Sequence, residues 1–351
     1  MEVVYCYGNA HEIGLQHGRT AKRQILRSIR FYQGLFQDKC GMDWPSVKKF
    51  ALQYQPYLAE TWPLYVSEME GVADGADVGY LDILALNVRT EIAFGKFSDA
   101  CTAVAWAPRE GSQSLLAQNW DWYAAQAGSL IILKIAKERG GMCMQMVTEA
   151  GIIGKIGLNE KGVGCTLNAI KAAGVSYTRL PVHLALRTVL ESKSKDEAVA
   201  ALEKAGVASA CHILVADTTG SVGLECSERD VVRVPMDERG VVTHTNHYIA
   251  AHAPEVVEAK GWIPDTGFRL QRINELVAAA VQGQGMSPES VQEMLKDKTA
   301  REDGISICRG EVEGTEKIVT LFSIVMDLES KRATVLEGRP SEPTDEFVLD
   351  P

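Results

Sequence analysis

Cys101 follows Asp99-Ala100 and heads Thr102-Ala103-Val104-Ala105-Trp106-Ala107, a run that reads as a strand. A cysteine at such a junction becomes a chain N-terminus if the Ala100–Cys101 peptide bond is cut. One residue then carries a thiol nucleophile and a free α-amine to serve as its base. An α-amine has a pKa near about 8, against roughly 10.4 for lysine, so a useful fraction is neutral at pH 7. It sits on the same residue as the thiol, so no encounter has to be arranged. A cationic neighbour would favour the thiolate further. Such a site still needs donors for an oxyanion and a group that orients the amine. The chemistry implied is amide hydrolysis or acyl transfer by a chain that processes itself.

Other chemistries find less support. The eight cysteines (6, 40, 101, 143, 165, 211, 226, 308) are scattered, with no Cys-x-x-Cys pair, and most read as small buried hydrophobes. The chain has no Gly-x-Ser-x-Gly elbow and no Walker loop. Gly151-Ile-Ile-Gly154-Lys-Ile-Gly157 has the wrong glycine spacing for a dinucleotide site and reads as a turn with close backbone packing. His244-Thr-Asn-His247 invites a metal, but in a strand two histidines three apart leave opposite faces, so no metal is expected. That alternation sets Asn246 opposite to Thr245 and His247, free to donate from its amide. Seven histidines leave a Cys–His hydrolase open, though nothing favours a particular pair.

The elements that must hold these residues change character at Cys101. Before it the chain is mainly helical. Ile13, His17, Ala21, Ile25, Ile29, Tyr32 and Phe36 recur every three or four residues and make one stripe on a long helix that Asn9 can cap. A second helical stretch runs from Pro45 to Met69, broken near Pro56 and Pro63, and a third from Leu81 to Val88. The glycine-rich segment 71–79 reads as a loop. After Cys101 the period becomes two. Strands are expected over 114–122, 129–136, 142–148, a hairpin about Gly157–Gly164, and 211–217, 221–226, 230–235, 241–247, 318–328 and 332–336. Helices are expected near 181–193, 195–204, 267–281 and 288–296. No linker or repeat splits the chain, so the expectation is one compact α+β body of layered sheets and helices.

The 351 residues are 46% hydrophobic and 23% charged, enough to bury a sizeable core. Formal net charge is −10 with no basic block, which argues against nucleic acid as a partner. No apolar run reaches the roughly 18 residues that span a bilayer. The first residues do not read as a signal peptide, nor the last three as a peroxisomal signal, so a cytoplasmic protein with no membrane partner is expected.

Several runs, in order over nearly the whole length, carry a resemblance. They are Glu12-Ile-Gly with His17-Gly18, Asn87-Val-Arg-Thr-Glu91, Asp99-Ala-Cys-Thr102, Gln118-Asn-Trp-Asp121 and Thr148-Glu-Ala-Gly-Ile-Ile-Gly-Lys-Ile-Gly-Leu-Asn159. Gly223-Leu-Glu-Cys-Ser227, His244-Thr-Asn-His247, Ser306-Ile-Cys-Arg309 and Gly338-Arg-Pro340 follow. The chain thereby resembles the fungal acyl-coenzyme A:6-aminopenicillanic acid acyltransferases (isopenicillin N acyltransferases) of the N-terminal nucleophile hydrolase superfamily. The resemblance implies a four-layer αββα sandwich and a precursor that cuts itself before the cysteine. Residues 1–100 would become an α subunit and 101–351 a β subunit, held as one compact αβ heterodimer.

It also implies roles. Cys101 would be the nucleophile of self-cleavage and of acyl transfer, Asp121 the carboxylate that holds the terminal amine, Asn246 the side-chain oxyanion donor, and Arg309 the guanidinium near the thiolate. Asn168 would border the oxyanion site, with Ser227 and Ser306 placed around it. No cofactor is implied; acyl-coenzyme A or a small-molecule amide is the substrate, and a 6-aminopenicillanic acid-like amine or water takes the acyl group. A paralogue that hydrolyses a non-penicillin amide, and an uncleaved inactive binder of ligands, stand as alternatives. Alanine precedes Cys101 where the penicillin enzymes have glycine. Its methyl restricts φ, and the expectation is slowed cleavage.

Overall fold

The computed structural model describes all residues except 94–99, 109–112, 139–140, 260, 284, 302–303 and 312–316. Asp99 of the matched run lies outside the described residues. In chain order the elements begin with β1 (Glu2–Gly8), α1 (Ala10–Thr20), α2 (Lys22–Cys40), α3 (Trp44–Ala51), α4 (Gln55–Thr61), α5 (Pro63–Ala76), α6 (Tyr80–Asn87) and α7 (Arg89–Ala93). Then come β2 (Ala100–Trp106), β3 (Leu115–Tyr123), β4 (Leu130–Lys137), β5 (Cys143–Glu149), β6 (Ile156–Asn159), β7 (Gly164–Ala169), α8 (Val182–Glu191) and α9 (Lys195–Ala205). The chain ends with β8 (Cys211–Asp217), β9 (Gly220–Cys226), β10 (Val231–Pro235), β11 (Val241–His244), α10 (Thr266–Gln282), α11 (Pro288–Leu295), β12 (Ile318–Asp327), β13 (Arg332–Glu337) and β14 (Asp345–Leu349).

The strands form two sheets, ordered β1-β4-β5-β6-β7-β8-β9-β10 and β11-β2-β3-β12-β13-β14. They face each other through β2, β3 and β7. Helices α1, α2, α8 and α9 cover the outside of the larger sheet, and α10 and α11 the outside of the smaller. This is the αββα sandwich. Two burial surfaces on the smaller sheet explain why β2 and β3 are apolar on both faces (Cys101, Ala103 and Trp120 inward, Val104, Leu115 and Ala117 outward). Among the described residues no helix is long and apolar enough to cross a membrane.

Prolines do the punctuating expected of them: Pro45, Pro56 and Pro63 each fall in the first turn of α3, α4 and α5, where no N–H is needed. Asn9 caps α1 in a capping box with Glu12. The structure corrects three expectations. The long N-terminal helix is broken at Ala21 (φ −97, ψ 20), so its stripe is split between α1 and α2. Two strands, β1 and β14, are additional to the expected ones. Strand β1 buries Val4, Cys6 and Gly8 alternately, but its exposed positions are the tyrosines Tyr5 and Tyr7, which hides the alternation in the sequence. Segment 71–79 is mostly helix, since α5 continues to Ala76.

The glycines of that segment serve helix contact instead of a turn. A Cβ on Gly71 would lie 2.2 Å from His11 O, and one on Gly75 2.3 Å from Leu15 O. In return, Cβ atoms on Gly14 and Gly18 would lie 2.0 Å from Glu68 O and 2.3 Å from Val72 O. Backbone cannot give way as a flexible side chain can. Gly18→Val is therefore expected to destabilise the fold by about 3 kcal/mol, read as a lowered urea midpoint.

The first hundred residues are bound into the rest. Strand β1 pairs in parallel with β4. Arg89 reaches Glu149 at 2.8 Å, and Arg187 holds Glu68 with two bonds of 2.8 and 2.7 Å, all buried. Asn87 donates to Gly151 O and accepts from Ile153 N, pinning the Gly151–Gly157 segment, where Gly154 packs against His183 O.

Candidate active site

The antiparallel register of β2 and β3 sets the site. Ala100 stands opposite Asp121, Cys101 opposite Trp120, and Thr102 opposite Asn119. Alternation sends Cys101 into the core between the sheets and Asp121 to the outer face under α10 and α11. On the inner side Trp120 and Trp122 stack at 5.8 Å. Lys155 Nζ lies 3.4 Å from the Trp120 ring centre and bonds to Glu149 at 2.5 Å. Burial pushes the Glu149 carboxyl up, but Arg89 and then Lys155 outweigh it and hold it well below its usual range.

The backbone N–H of Cys101, the nitrogen that cleavage would free, donates to Asn246 Oδ1 at 2.9 Å. Asn246 Nδ2 donates to Ala169 O at 2.9 Å. The sequence reading of 241–247 as one strand is corrected here. Strand β11 stops at His244, and Asn246 N instead donates to Thr266 Oγ1, which swings the side chain onto Cys101. His244 and His247 take different partners, Glu225 at 2.8 Å and Thr266 Oγ1 at 2.9 Å.

Asp121 accepts from Thr320 Oγ1 at 2.7 Å through Oδ1, and its buried Oδ2 has no hydrogen-bond partner among the described residues. Burial raises its pKa to about 6, against the pull of Arg309, Arg269 and Thr320. Arg309 is brought to this outer face. Its Nη1 is 3.7 Å from Asp265 Oδ2, and its backbone N donates to Thr320 Oγ1. The structure thus gathers Cys101, Asp121, Asn246 and Arg309 about one strand end, with Arg309 beside the carboxylates and the sulfur on the opposite face.

The supporting residues divide. Asn168 Oδ1 bonds to His212 Nδ1 at 3.1 Å, while its Nδ2 donates to His244 O at 3.4 Å, bracing the segment that leads to Asn246. Ser227 donates to Asp230 Oδ1 and accepts from the Arg229 and Asp230 N–H groups, a turn at the end of β9. Ser306 Oγ donates to Cys308 O in the loop that delivers Arg309.

Sequence reasoning missed Arg269 and Asp265. Arg269 is fully buried and donates to Cys101 O at 2.6 Å. The signal was there: Arg269, Ile273 and Val277 recur every four residues on α10, so the arginine lies on the buried stripe. Glu225 was also missed, although it collects His244, His252 and the Ile249 and Ala250 N–H groups.

Residues 107–342 match the family model described as acyl-coenzyme A:6-aminopenicillanic acid acyl-transferase. The chain is 36% identical over 351 residues to the "acyl-coenzyme A:6-aminopenicillanic-acid-acyltransferase 40 kDa form" of Emericella nidulans, covering 99% of this chain and 95% of that one. Among solved structures, a variant of conjugated bile acid hydrolase from Clostridium perfringens superposes with TM-score 0.50 at 16% identity, covering 71% of this chain and 92% of that one. At that identity the likeness speaks to fold alone. Penicillin V acylase from Agrobacterium tumefaciens gives TM-score 0.49 at 16% identity, over 71% of this chain and 86% of that one.

Proposed function

The chain belongs to the acyl-coenzyme A:6-aminopenicillanic acid acyl-transferase family, and from that premise we propose that it is a self-processing cysteine acyltransferase and amidohydrolase whose nucleophile is Cys101. The observation that carries this reading is the placement of the Cys101 nitrogen. It is bonded to Asn246, and Asp121, directly across from Ala100, offers a buried carboxylate oxygen with no bonded partner among the described residues.

In processing, the Cys101 sulfur attacks the Ala100 carbonyl carbon. A C–S bond forms, the Ala100–Cys101 C–N bond breaks, and the thiol proton passes to the departing nitrogen. Water then hydrolyses the thioester, leaving a carboxylate on Ala100 and a free amine on Cys101. In turnover that amine, held by Asp121, takes the thiol proton, and the thiolate attacks a thioester or amide carbonyl. Asn246 and a backbone N–H hold the oxyanion. The donor's C–S or C–N bond then breaks, the coenzyme A thiol or amine leaving with the proton of the Cys101 ammonium, and the acyl group stays on Cys101 as a thioester. An amine such as 6-aminopenicillanic acid, or water, attacks that thioester, takes the acyl group and gives its proton back to Cys101, with acyl-coenzyme A as the donor. The relative's substrates support this choice.

Denaturing electrophoresis tests the reading. Two bands near 11 and 27 kDa are expected, roughly one hundred and two hundred and fifty residues at about 110 Da each. N-terminal sequencing of the larger should begin Cys-Thr-Ala. A single band that survives long incubation would sink the reading. The two fragments are expected to co-elute under native conditions, because the β1–β4 ladder and the Arg89–Glu149 and Glu68–Arg187 pairs cross the cut.

Processing should depend on pH through Asp121. Its carboxyl is neutral below about 6 and then cannot receive the ammonium forming on Cys101. Precursor cleavage is expected to slow about tenfold per pH unit below that value, followed as band intensity against time. Asp121→Asn should flatten this limb and slow cleavage throughout. The same shift has a sign for stability. The folded chain binds this proton more tightly than the unfolded one, so the group favours the fold at low pH and costs stability as pH rises from 3.8 to about 6.

A further inference from the structure

Arg269 meets the nucleophile's strand from the outer face, the side on which Asp121 lies. Its Nη1 donates to Cys101 O at 2.6 Å and to Thr102 Oγ1 at 3.1 Å. Its Nη2 donates to Asn246 Oδ1 at 3.0 Å, the oxygen that also accepts from Cys101 N. Its Nε is bonded to Asp265 Oδ2 at 2.5 Å, four residues back at the position that precedes α10. One planar guanidinium therefore spans the carbonyl of the nucleophile, the hydroxyl beside it, and the amide that receives its N–H. The fork fits this array; the point charge of a lysine would not.

Two consequences follow from that geometry. A guanidinium has only donors, so it fixes which end of the Asn246 amide faces Cys101. Were the amide turned over, NH₂ would meet both the guanidinium and the Cys101 N–H. The oxygen stays on Cys101 and the NH₂ group stays beside β7. Second, the cation lies on the carbonyl of the same residue that would carry the amine and thiol. A positive charge there disfavours the ammonium and favours the thiolate. Around Arg269 stand Asp265, Arg309, Asp121 and His247. Asp265 lies within reach of both guanidiniums, so it offsets their charge only in part.

Resting on the reading that Cys101 becomes the N-terminal nucleophile, we propose that Arg269, braced by Asp265, is a positioning residue of this site: it clamps the nucleophile's carbonyl, orients the Asn246 amide, and keeps the amine–thiol pair reactive near neutral pH. The positioning passes through Asn246 and the strand, and Arg269 itself leaves the substrate untouched.

The test is alkylation of processed protein by iodoacetamide between pH 5.5 and 9, read by mass spectrometry on the peptide that begins at Cys101. In Arg269→Gln the reactivity midpoint is expected to rise by about one unit, so that alkylation at pH 7 slows about tenfold. Arg269→Lys should keep a midpoint near the wild type yet process more slowly, because charge remains and the fork is lost. Asp265→Asn should move the midpoint the other way, downward, since Arg269 is then less neutralised. Opposite shifts from two partners of one ion pair are not the mark of general loosening. If Arg269→Gln does not fold, Asp265→Asn alone decides. A processed wild type with unmoved midpoints in the variants overturns the role of Arg269 and leaves the nucleophile standing. A wild type whose Cys101 stays internal to an intact chain overturns the reading beneath it and this one with it.

Discussion

Cys101→Ala is expected to run as one intact band and to lose turnover by at least about a thousandfold. The substitution removes the sulfur that attacks Ala100 and the sulfur that would carry the acyl group, so both reactions stop together. Folding should survive. Cys101 is a small residue in the inter-sheet core, and trading its sulfur for a methyl group's worth of space costs about 1 kcal/mol. The loss is therefore chemical, and unchanged circular dichroism with a slightly lowered urea midpoint would document it. Cys101→Ser should process slowly at best, because a hydroxyl is a far weaker nucleophile beside an amine base. Full activity in Cys101→Ala would end the assignment.

Asn246→Ala should reduce turnover about a hundredfold or more, the usual cost of deleting a side-chain oxyanion donor, and it should slow processing as well. The double effect comes from the two ends of one amide. Its oxygen holds Cys101 N and Arg269 Nη2, and its NH₂ group donates to Ala169 O. Truncation strands all three. Asn246→Asp separates the ends. A carboxylate keeps the acceptor toward Cys101 and Arg269 but has no N–H to give. Processing is expected to persist more nearly at the wild-type rate in Asn246→Asp while kcat falls with little change in KM. Wild-type kcat in Asn246→Asp would show that donation has no part in turnover, and processing as slow in Asn246→Asp as in Asn246→Ala would show that the acceptor has no part in processing.

The local readings that held share a cause. The strand over 211–217 and the helix near 195–204 were visible because periodicity, β-branched residues and flanking glycine act over a few residues. The glycines of 71–79 misled because a glycine has two uses. Its missing side chain permits a turn, and it equally permits two helices to touch backbone to backbone. Only the approach of Gly14 and Gly18 from α1 decides between them. The strand end at His244 was missed for a similar reason, since Thr266, which draws Asn246 off the ladder, lies twenty residues away. Ser227 matched the family's runs but is used in a turn.

By itself the sequence determined the α+β class, the change of character at Cys101, and the cysteine that could become an N-terminus. These are written in residue type and short-range period. The tertiary structure alone decided which polar groups surround that cysteine. Residues 101, 121, 246, 269 and 309 meet because antiparallel pairing puts Asp121 across from Ala100, and because α10 packs on the outer face of the smaller sheet. Side chains so far apart in the chain gain a common site only when burial of two sheet faces has fixed every strand's register, and that is a property of the whole packed chain.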